Sequence, residues 1–376
     1  MKWQEKQLDQ LGTVLRGRSR HRPRDAEHLY GGPYPFVQTG DVKHADLYLK
    51  EYTQTYSQAG LEQSKLWPAG TLCITIAANI ADTAILGIEA CFPDSVIGFV
   101  ADESESDVRF IKYKFDTIKR RYQQVSHGAA QDNLSQEKLL SFSLSVPPVE
   151  MQRRIADILS AYDDLIENNR RRMALLEEAA RQLYQEWFVR LRFPGHEHTR
   201  ITDGVPAGWK RITIGELVDL GEIDLQTGPF GTQLKASDYA DDGSPVINVR
   251  NIGFGEVRAE KLEFVPEEMV QRLHQHVLKA GDIVFGRKGA VDRHVLVRPT
   301  QDGWIQGSDC IRMRSHSDRV STLLLSLAFR ETAHKEWMLT QCSNKATMAS
   351  LNQDVLSRIV TVLPIPTIHR EFVDLA

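Results

Sequence analysis

Leu134-Ser135-Gln136-Glu137-Lys138-Leu139 and Leu351-Asn352-Gln353-Asp354-Val355-Leu356 carry one pattern twice, without a gap, about 217 residues apart. At the same offset Val146-Pro147 meets Leu363-Pro364, and Arg153…Ile155…Asp157 meets Arg370…Phe372…Asp374. Working back toward the N-terminus the offset shrinks slowly to about 206. Pro68-Ala69-Gly70-Thr71-Leu72 answers to Lys279-Ala280-Gly281-Asp282-Ile283, Pro35-Phe36-Val37 to Pro245-Val246-Ile247, and Trp3…Leu11-Gly12 to Trp209…Ile214-Gly215. A unit this long is not a solenoid repeat, so each copy is expected to be a folded domain. Two similar domains held apart suit the reading of two separated marks on one long ligand, and DNA is the first such ligand to consider.

Between the copies runs the longest helical pattern of the chain, from about Met151 to Leu191. Apolar or small residues recur at Ile155, Ile158, Tyr162, Leu165, Met173, Leu176, Ala180, Leu183 and Trp187, alternating steps of three and four, with one polar step at Asn169. That is a coiled-coil seam, in which a buried Asn fixes register. Leu159 flanks it, and Pro147-Pro148 and Pro194-Gly195 punctuate its ends. Forty residues make a rod of roughly 60 Å, enough to hold two readers more than one turn of B-DNA apart. The rival reading is an ordinary long helix inside a bundle.

Within each copy a short helical signal leads into strand-like runs. Leu72 to Ile76 and Ile283 to Phe285 read as buried strands after a Gly turn, with further strands at Val96 to Val100 and Cys310 to Met313. Helical periodicity follows, over Val108 to Tyr122 and Val320 to Leu339. The expected fold class is α+β: two similar α/β domains separated by a long coiled-coil-type helix, with a pseudo-two-fold internal repeat. The boundaries are 1–149, 150–193 for the spacer helix, 194–363, and 364–376 for the start of a second helix like the first.

Composition narrows the function classes. The 376 residues are 41% hydrophobic, ample for two cores, and no run approaches the ~20 apolar residues of a membrane span. Met1-Lys2-Trp3-Gln4-Glu5-Lys6 does not read as a secretory leader, and Cys73, Cys91, Cys310 and Cys342 lie too far apart for a Cys-x-x-Cys metal site. Reduced thiols and a cytoplasmic location are expected. The net charge of −4 is unusual for a DNA protein, so basic residues should be concentrated on one face, or a partner should supply part of the grip. The sequence holds no phosphate-loop motif, no His-Glu-x-x-His and no close Cys/His cluster. His274 and His276, two apart, do not share a helical face.

The densest charge cluster is Arg16-Gly17-Arg18-Ser19-Arg20-His21-Arg22-Pro23-Arg24. Arginine forks onto phosphate or onto guanine O6/N7, so Arg18, Arg20, Arg22 and Arg24 are candidates for DNA contact; a solvated basic loop is the alternative. Gln38, Thr39 and Lys43 sit at and after a strand end, and Asn79 follows a buried strand, where polar side chains reach base edges or merely serve the fold. In the second copy Gly228, Phe230 and Gly231 form a turn that permits close backbone approach, followed by Gln233 and Lys235. Arg250-Asn251 pairs a phosphate-capable group with a base-reading one, and Arg287-Lys288 occupies a Gly-flanked turn suited to phosphate. Trp187-Phe188 is a candidate anchor for a partner chain, or else part of a core.

These residues resemble the specificity (S) subunits of Type I restriction–modification systems, and the likeness covers essentially the whole chain. Gly32-Pro33-Tyr34-Pro35-Phe36-Val37-Gln38-Thr39-Gly40-Asp41-Val42 is similar to the family's early target-recognition segment, and His127 to Ser135 to its late one. Val146-Pro147-Pro148-Val149-Glu150-Met151-Gln152-Arg153-Arg154-Ile155 resembles the start of its central helix, while Gly228 to Leu234 and Pro245 to Ile252 are typical of the second copy. The order and duplication of these strings carry the likeness.

The resemblance implies a non-catalytic chain whose two domains each read one half of a bipartite double-stranded DNA site, with paired helices setting the gap. It implies partners that do the chemistry: modification subunits that methylate adenine with S-adenosylmethionine, and a restriction subunit that uses ATP and Mg to cleave DNA. The S chain would need no cofactor. The interface residues would be Ile155, Leu159, Tyr162, Leu165, Asn169, Leu176, Leu183, Trp187 and Phe188. Only the start of a second long helix is present, at Ile368 to Ala376, consistent with a fragment or with pairing to a second S chain. The alternatives are a stand-alone DNA-binding regulator dimerising through the coil, and an enzyme with a diverged site.

Overall fold

The computed structural model describes residues 3–21, 23–77, 80–126, 135–231, 233–289, 291–342 and 350–376, with side chains of 120–126 left aside. The chain divides into two compact units, Met1–Arg172 and Met173–Ala376.

Each unit is built on a five-stranded sheet with the same strand order. In the first the order is Gly12–Arg16, Val96–Ala101, Leu72–Thr75, Thr83–Leu86, Tyr48–Leu49. In the second it is Ile223–Thr227, Cys310–Ser315, Ile283–Gly286, His294–Leu296, Phe254–Gly255. Neighbours are antiparallel except the last pair of each sheet, which is parallel in both. A smaller sheet joins Tyr30–Phe36 to Gln54–Tyr56 antiparallel and to Ala90–Cys91 parallel, and Ser244–Ile247 pairs with Glu263–Val265 and Ile305–Gln306 in the same two senses. The ladders Gln4–Lys6 with Leu144–Val146 and Lys210–Thr213 with Val360–Leu363 complete the correspondence. The repeat in the sequence is therefore a repeat of topology, and the fold class is α+β.

Local chemistry explains why the two copies keep these elements. Ser135 and Asn352 are N-caps whose side chains accept from the N–H of Lys138 and Val355, so one short helix forms at Gln136–Leu140 and again at Gln353–Ser357. Gly70 and Gly281 turn the chain at φ +86° and +89°, a region costly for other residues, and deliver Leu72–Thr75 and Ile283–Gly286 to the centre of each sheet. Those central strands are buried throughout, as β-branched and aromatic runs require. In the first unit Phe110, Ile111 and Phe115 of the helix Val108–Ser126 close the core against Ile74, Ile85, Ile97 and Phe99.

Two expectations need correction. The first copy opens on the strand Gln4–Lys6 and a 3₁₀ turn, not on a helix, while the second opens on the strand Lys210–Thr213 ahead of its helix Ile214–Asp219. Val320 to Leu339 is not one helix but two, Thr322–Arg330 and Thr332–Cys342, broken where Glu331 turns to extended backbone. The first helix bridges two apolar clusters, giving Leu324 and Leu327 to one and Leu325 and Phe329 to the other, which Met338 and Cys342 of the second helix join.

The long helix spans Val149–Tyr184 and continues as a π-helical turn over Gln185–Val189. At 1.5 Å per residue its α-helical part is about 54 Å long. Its first turns belong to the first unit: Ala156 and Ile155 pack on the core, and the buried Gln152 amide donates to the carbonyls of Pro147 and Glu105. Arg109 pairs with Asp157 at 2.9 Å, and Tyr113 donates to Asp163 at 2.5 Å. Its last turns belong to the second unit, where Ala180 is buried and Tyr184 and Trp187 join Phe193, Trp209, Ile368 and Phe372. Between them, from Asp164 to Glu177, every residue is exposed.

Candidate nucleic-acid interface

In the second unit the strands Ile283–Gly286 and His294–Leu296 form a hairpin whose connecting loop carries Arg287, Lys288 and Arg293. The backbone holds Arg287 at both its polar groups. Arg287 N–H donates to the Asp309 carbonyl, and the Arg287 carbonyl accepts from Leu351 N–H, both at 2.8 Å. The Arg287 guanidinium lies over the exposed ring of Phe230, 5.0 Å from its centroid. An aromatic face steadies a cation without consuming its N–H donors, so the guanidinium stays available to an external acceptor. Lys288 pairs with Asp309 at 3.0 Å on an exposed edge, a weak pair that a phosphate can outbid.

The rest of the Gly228–Lys235 segment divides between fold and surface. Gly228 is buried, and a Cβ there would stand 2.0 Å from the Gly307 carbonyl oxygen. The close approach it permits is therefore by the protein's own backbone and not by a ligand. Gly231 faces open space, and Gln233 is exposed but accepts the Phe230 N–H at 3.1 Å, which fixes the turn. Lys235 is exposed ahead of a 3₁₀ turn stapled by Asp238. Arg250 is half-exposed and ion-paired to Glu263.

Asn251 is a correction: it is fully buried. Its amide donates to the carbonyls of Arg258 and Glu260, at 2.9 and 3.1 Å, and accepts from Asn248 N–H at 3.2 Å. That carboxamide organises the loop: both its N–H donors are spent, and burial keeps its oxygen from a base edge.

In the first unit, Arg18 and Arg20 are exposed on a strand-edge segment anchored through main chain, with Arg18 N–H to the Phe92 carbonyl and Arg20 N–H to Gln63. Arg24 pairs with Asp94 at 2.8 Å. Gln38 caps the helix Thr39–His44 and spends its side-chain amide on Gln54 at 2.6 Å; Thr39 is half-buried in the first turn and Lys43 exposed in the last. Arg22 and Asn79 lie outside the described residues, as does His127 to Leu134. A contact not expected from sequence places Lys65 over the Trp67 ring at 3.7 Å. Burial first, and the nearby charge of Arg18 second, lower the Lys65 pKa. The signal was a cation two residues from a buried aromatic on one strand edge, too common to single out.

The proposed subunit-interface residues also separate into two groups. Leu159, Tyr162, Leu165, Asn169 and Leu176 are exposed on the long helix, with Ile158 and Met173 continuing the same stripe. A groove of about 530 Å³ beside it is lined by Leu47, Tyr113, Leu159, Tyr162 and Ile166. Ile155, Leu183, Trp187 and Phe188 instead pack within their own units. Trp187 is only 6% exposed, with its ring 5.8 Å from that of Phe372, and Phe188 meets Phe372 edge-on at 4.9 Å. The aromatic pair is core, because Phe372 supplies a large apolar ring that no local pattern announces.

No group of three or more His, Cys, Asp or Glu side chains that could hold a metal ion occurs among the described residues, and no described helix is long and apolar enough to cross a membrane. The four cysteines are buried free thiols, and burial pushes Cys310 up to about 12.

Comparison with known proteins agrees with this architecture. Residues 1–178 match the family model described as Type I restriction modification DNA specificity domain. The Type I restriction enzyme MjaVIII specificity subunit of Methanocaldococcus jannaschii is 30% identical over 39% of this chain and 32% of its own length. The MjaIX specificity subunit of the same organism is 22% identical over 76% of this chain and 66% of its own. The chain thus spans less than two thirds of the length of these curated relatives. Among solved structures, the Type I restriction–modification system S subunit from M. genitalium superposes over 100% of this chain and 88% of that one, with a TM-score of 0.60 at 15% identity, a likeness of fold. The chain is thus similar to Type I specificity subunits, and its residues 1–178 match the model of their DNA specificity domain.

Proposed function

We propose that this chain is the DNA-recognition subunit of a Type I restriction–modification complex. Each unit would read one half of a bipartite double-stranded site and present it to modification subunits, which methylate adenine, and to a restriction subunit. The observation that carries this reading is the duplicated strand order, set on one helix whose middle turns leave Tyr162, Leu165 and Leu176 exposed. Arg287, stacked on Phe230 with no acceptor on its guanidinium among the described residues, is the contact to DNA best supported by geometry. Arg18, Arg20, Lys43, Lys235 and Lys288 are assigned to phosphate or base contact on exposure and charge. In this reading the chain works in the cytoplasm without a cofactor of its own. S-adenosylmethionine, ATP and Mg belong to the partners, and a second S chain is a further candidate to cover the exposed stripe.

Flipping and methylating an adenine needs a pocket that the modification subunit supplies, so the specificity chain only has to hold the right bases in place. The test is binding of duplex DNA with and without co-purified modification subunits. Weak binding alone that becomes sequence-selective with them supports the proposal. Tight site-specific binding by the chain alone favours the stand-alone regulator, and no binding at any salt with the partners present overturns both.

A further inference from the structure

On the far side of the same hairpin from Phe230 stands a second exposed ring, Phe254, on the parallel edge strand. Arg293 places its guanidinium carbon 4.8 Å from the Phe254 centroid, and Lys335, from the helix Thr332–Cys342, its ammonium at 4.7 Å. Arg330 joins them: its guanidinium lies so close to the Gly255 backbone that a Cβ there would stand 1.8 Å from a guanidinium nitrogen. Two cations from two elements thus sit over one aromatic ring, and a third lies against the backbone of the next residue.

Their charge is not neutralised internally. Several other basic groups of this unit do have carboxylate partners: Arg250 with Glu263, Lys288 with Asp309, Arg272 with Asp238, Arg314 with Asp282. Among the described residues no carboxylate lies within ion-pair distance of Arg293, Arg330 or Lys335, and the buried Nε of both arginines lacks an acceptor. Glu256, one strand-end away, accepts the Phe254 N–H and pairs with none of the three. The uncompensated charge is felt inside the fold: burial first, then Arg330, His334 and Lys335, hold the His294 imidazole down at about 3. Gathering like charges without counterions is unfavourable in the free protein and becomes favourable when an anion spreads across them.

We propose that Arg293 and Lys335, seated over Phe254 and backed by Arg330, are a phosphate clamp that grips the DNA backbone beside the Arg287–Arg293 loop. The assignment rests on the DNA-recognition reading. The clamp positions one strand so that the loop meets base edges, and it carries no sequence information itself.

The experiment measures affinity of the full chain for a random-sequence duplex across a salt series, for wild type and for the double variant Arg293→Gln/Lys335→Gln. Each lost phosphate contact removes about 0.9 from the slope of log affinity against log salt, so the double variant should fall by about 1.8. The charge-keeping Arg293→Lys/Lys335→Arg should retain the slope, which separates charge from folding. Lys279→Gln, at the opposite end of the Ile283–Gly286 strand, should leave it unchanged. An unaltered slope in the glutamine double variant, while wild type binds, overturns the clamp and leaves the recognition role standing. A changed base preference with an unchanged slope makes these residues base readers and overturns it as well. Where the wild-type chain alone does not bind, the same series is run with co-purified modification subunits, and absence of binding there sinks both.

Discussion

Replacing Trp187 by Ala distinguishes a core residue from a docking anchor. The ring is 94% buried, being 6% exposed, and touches Phe372 across 5.8 Å within the cluster of Tyr184, Phe193, Trp209 and Ile368. A tryptophan buries about 150–250 Å², which at about 25 cal/mol/Å² is roughly 4–6 kcal/mol. Discounting for burial already present in the unfolded chain leaves about 3–5 kcal/mol, the range found when large aromatics are truncated in cores. Phe372→Ala should cost a similar amount, and the pair should couple by about 0.5–1.5 kcal/mol beyond area. Urea unfolding followed by circular dichroism and by calorimetry reads this directly; the transition assigned to the second unit should move and the first should not. A Trp187→Ala chain of unchanged stability that no longer binds its modification subunit would refute the core assignment and restore the anchor.

Asn251→Ala should destabilise the second unit by about 2–4 kcal/mol, since one buried amide satisfies three backbone groups that would be left without partners; full retention of the urea midpoint would contradict this. His294 gives a pH signature. Its native imidazole, donor or acceptor to Ser326 at 2.8 Å, is held at about 3, whereas the unfolded chain titrates near 6.5. Below about pH 6.5 the unfolded state therefore binds a proton that the native state refuses, so stability falls as pH drops from 6.5 toward 3. At pH 5 the loss is about 1.5 pH units, or ~2 kcal/mol, and His334, lowered to about 4 mainly by burial, adds in the same direction. His294→Gln should flatten the urea midpoint between pH 7.5 and pH 5; an unflattened profile would mean that His294 does not carry it.

What the sequence made legible was what short-range chemistry determines. The Gly70 and Gly281 turns and the central strands each depend on a few adjacent residues, so they repeat wherever those residues repeat. The long helix was legible for the same reason, since a three-four spacing is local. Contacts that close over distance were not. Asn251 reads like a base-contacting amide until Arg258 and Glu260 fold back over it, and Trp187 reads equally as anchor or core until Phe372 arrives from 185 positions away. Arg293 and Lys335 were overlooked because Phe254, the residue that gathers them, is remote from both in the chain. Gly228 carried the right physics and the wrong occupant: the close approach is real, but Gly307 makes it.

The central claim is that two units of one topology read two half-sites for a methyltransferase partner. Its most direct test is to co-express this chain with its modification subunit and map methylated adenines across the host DNA. The account predicts a bipartite motif, two short specific elements separated by a fixed nonspecific gap, and loss of one element's stringency when Phe230 and Arg287 are replaced. Methylation at a single undivided motif, unaffected by those replacements, would contradict it.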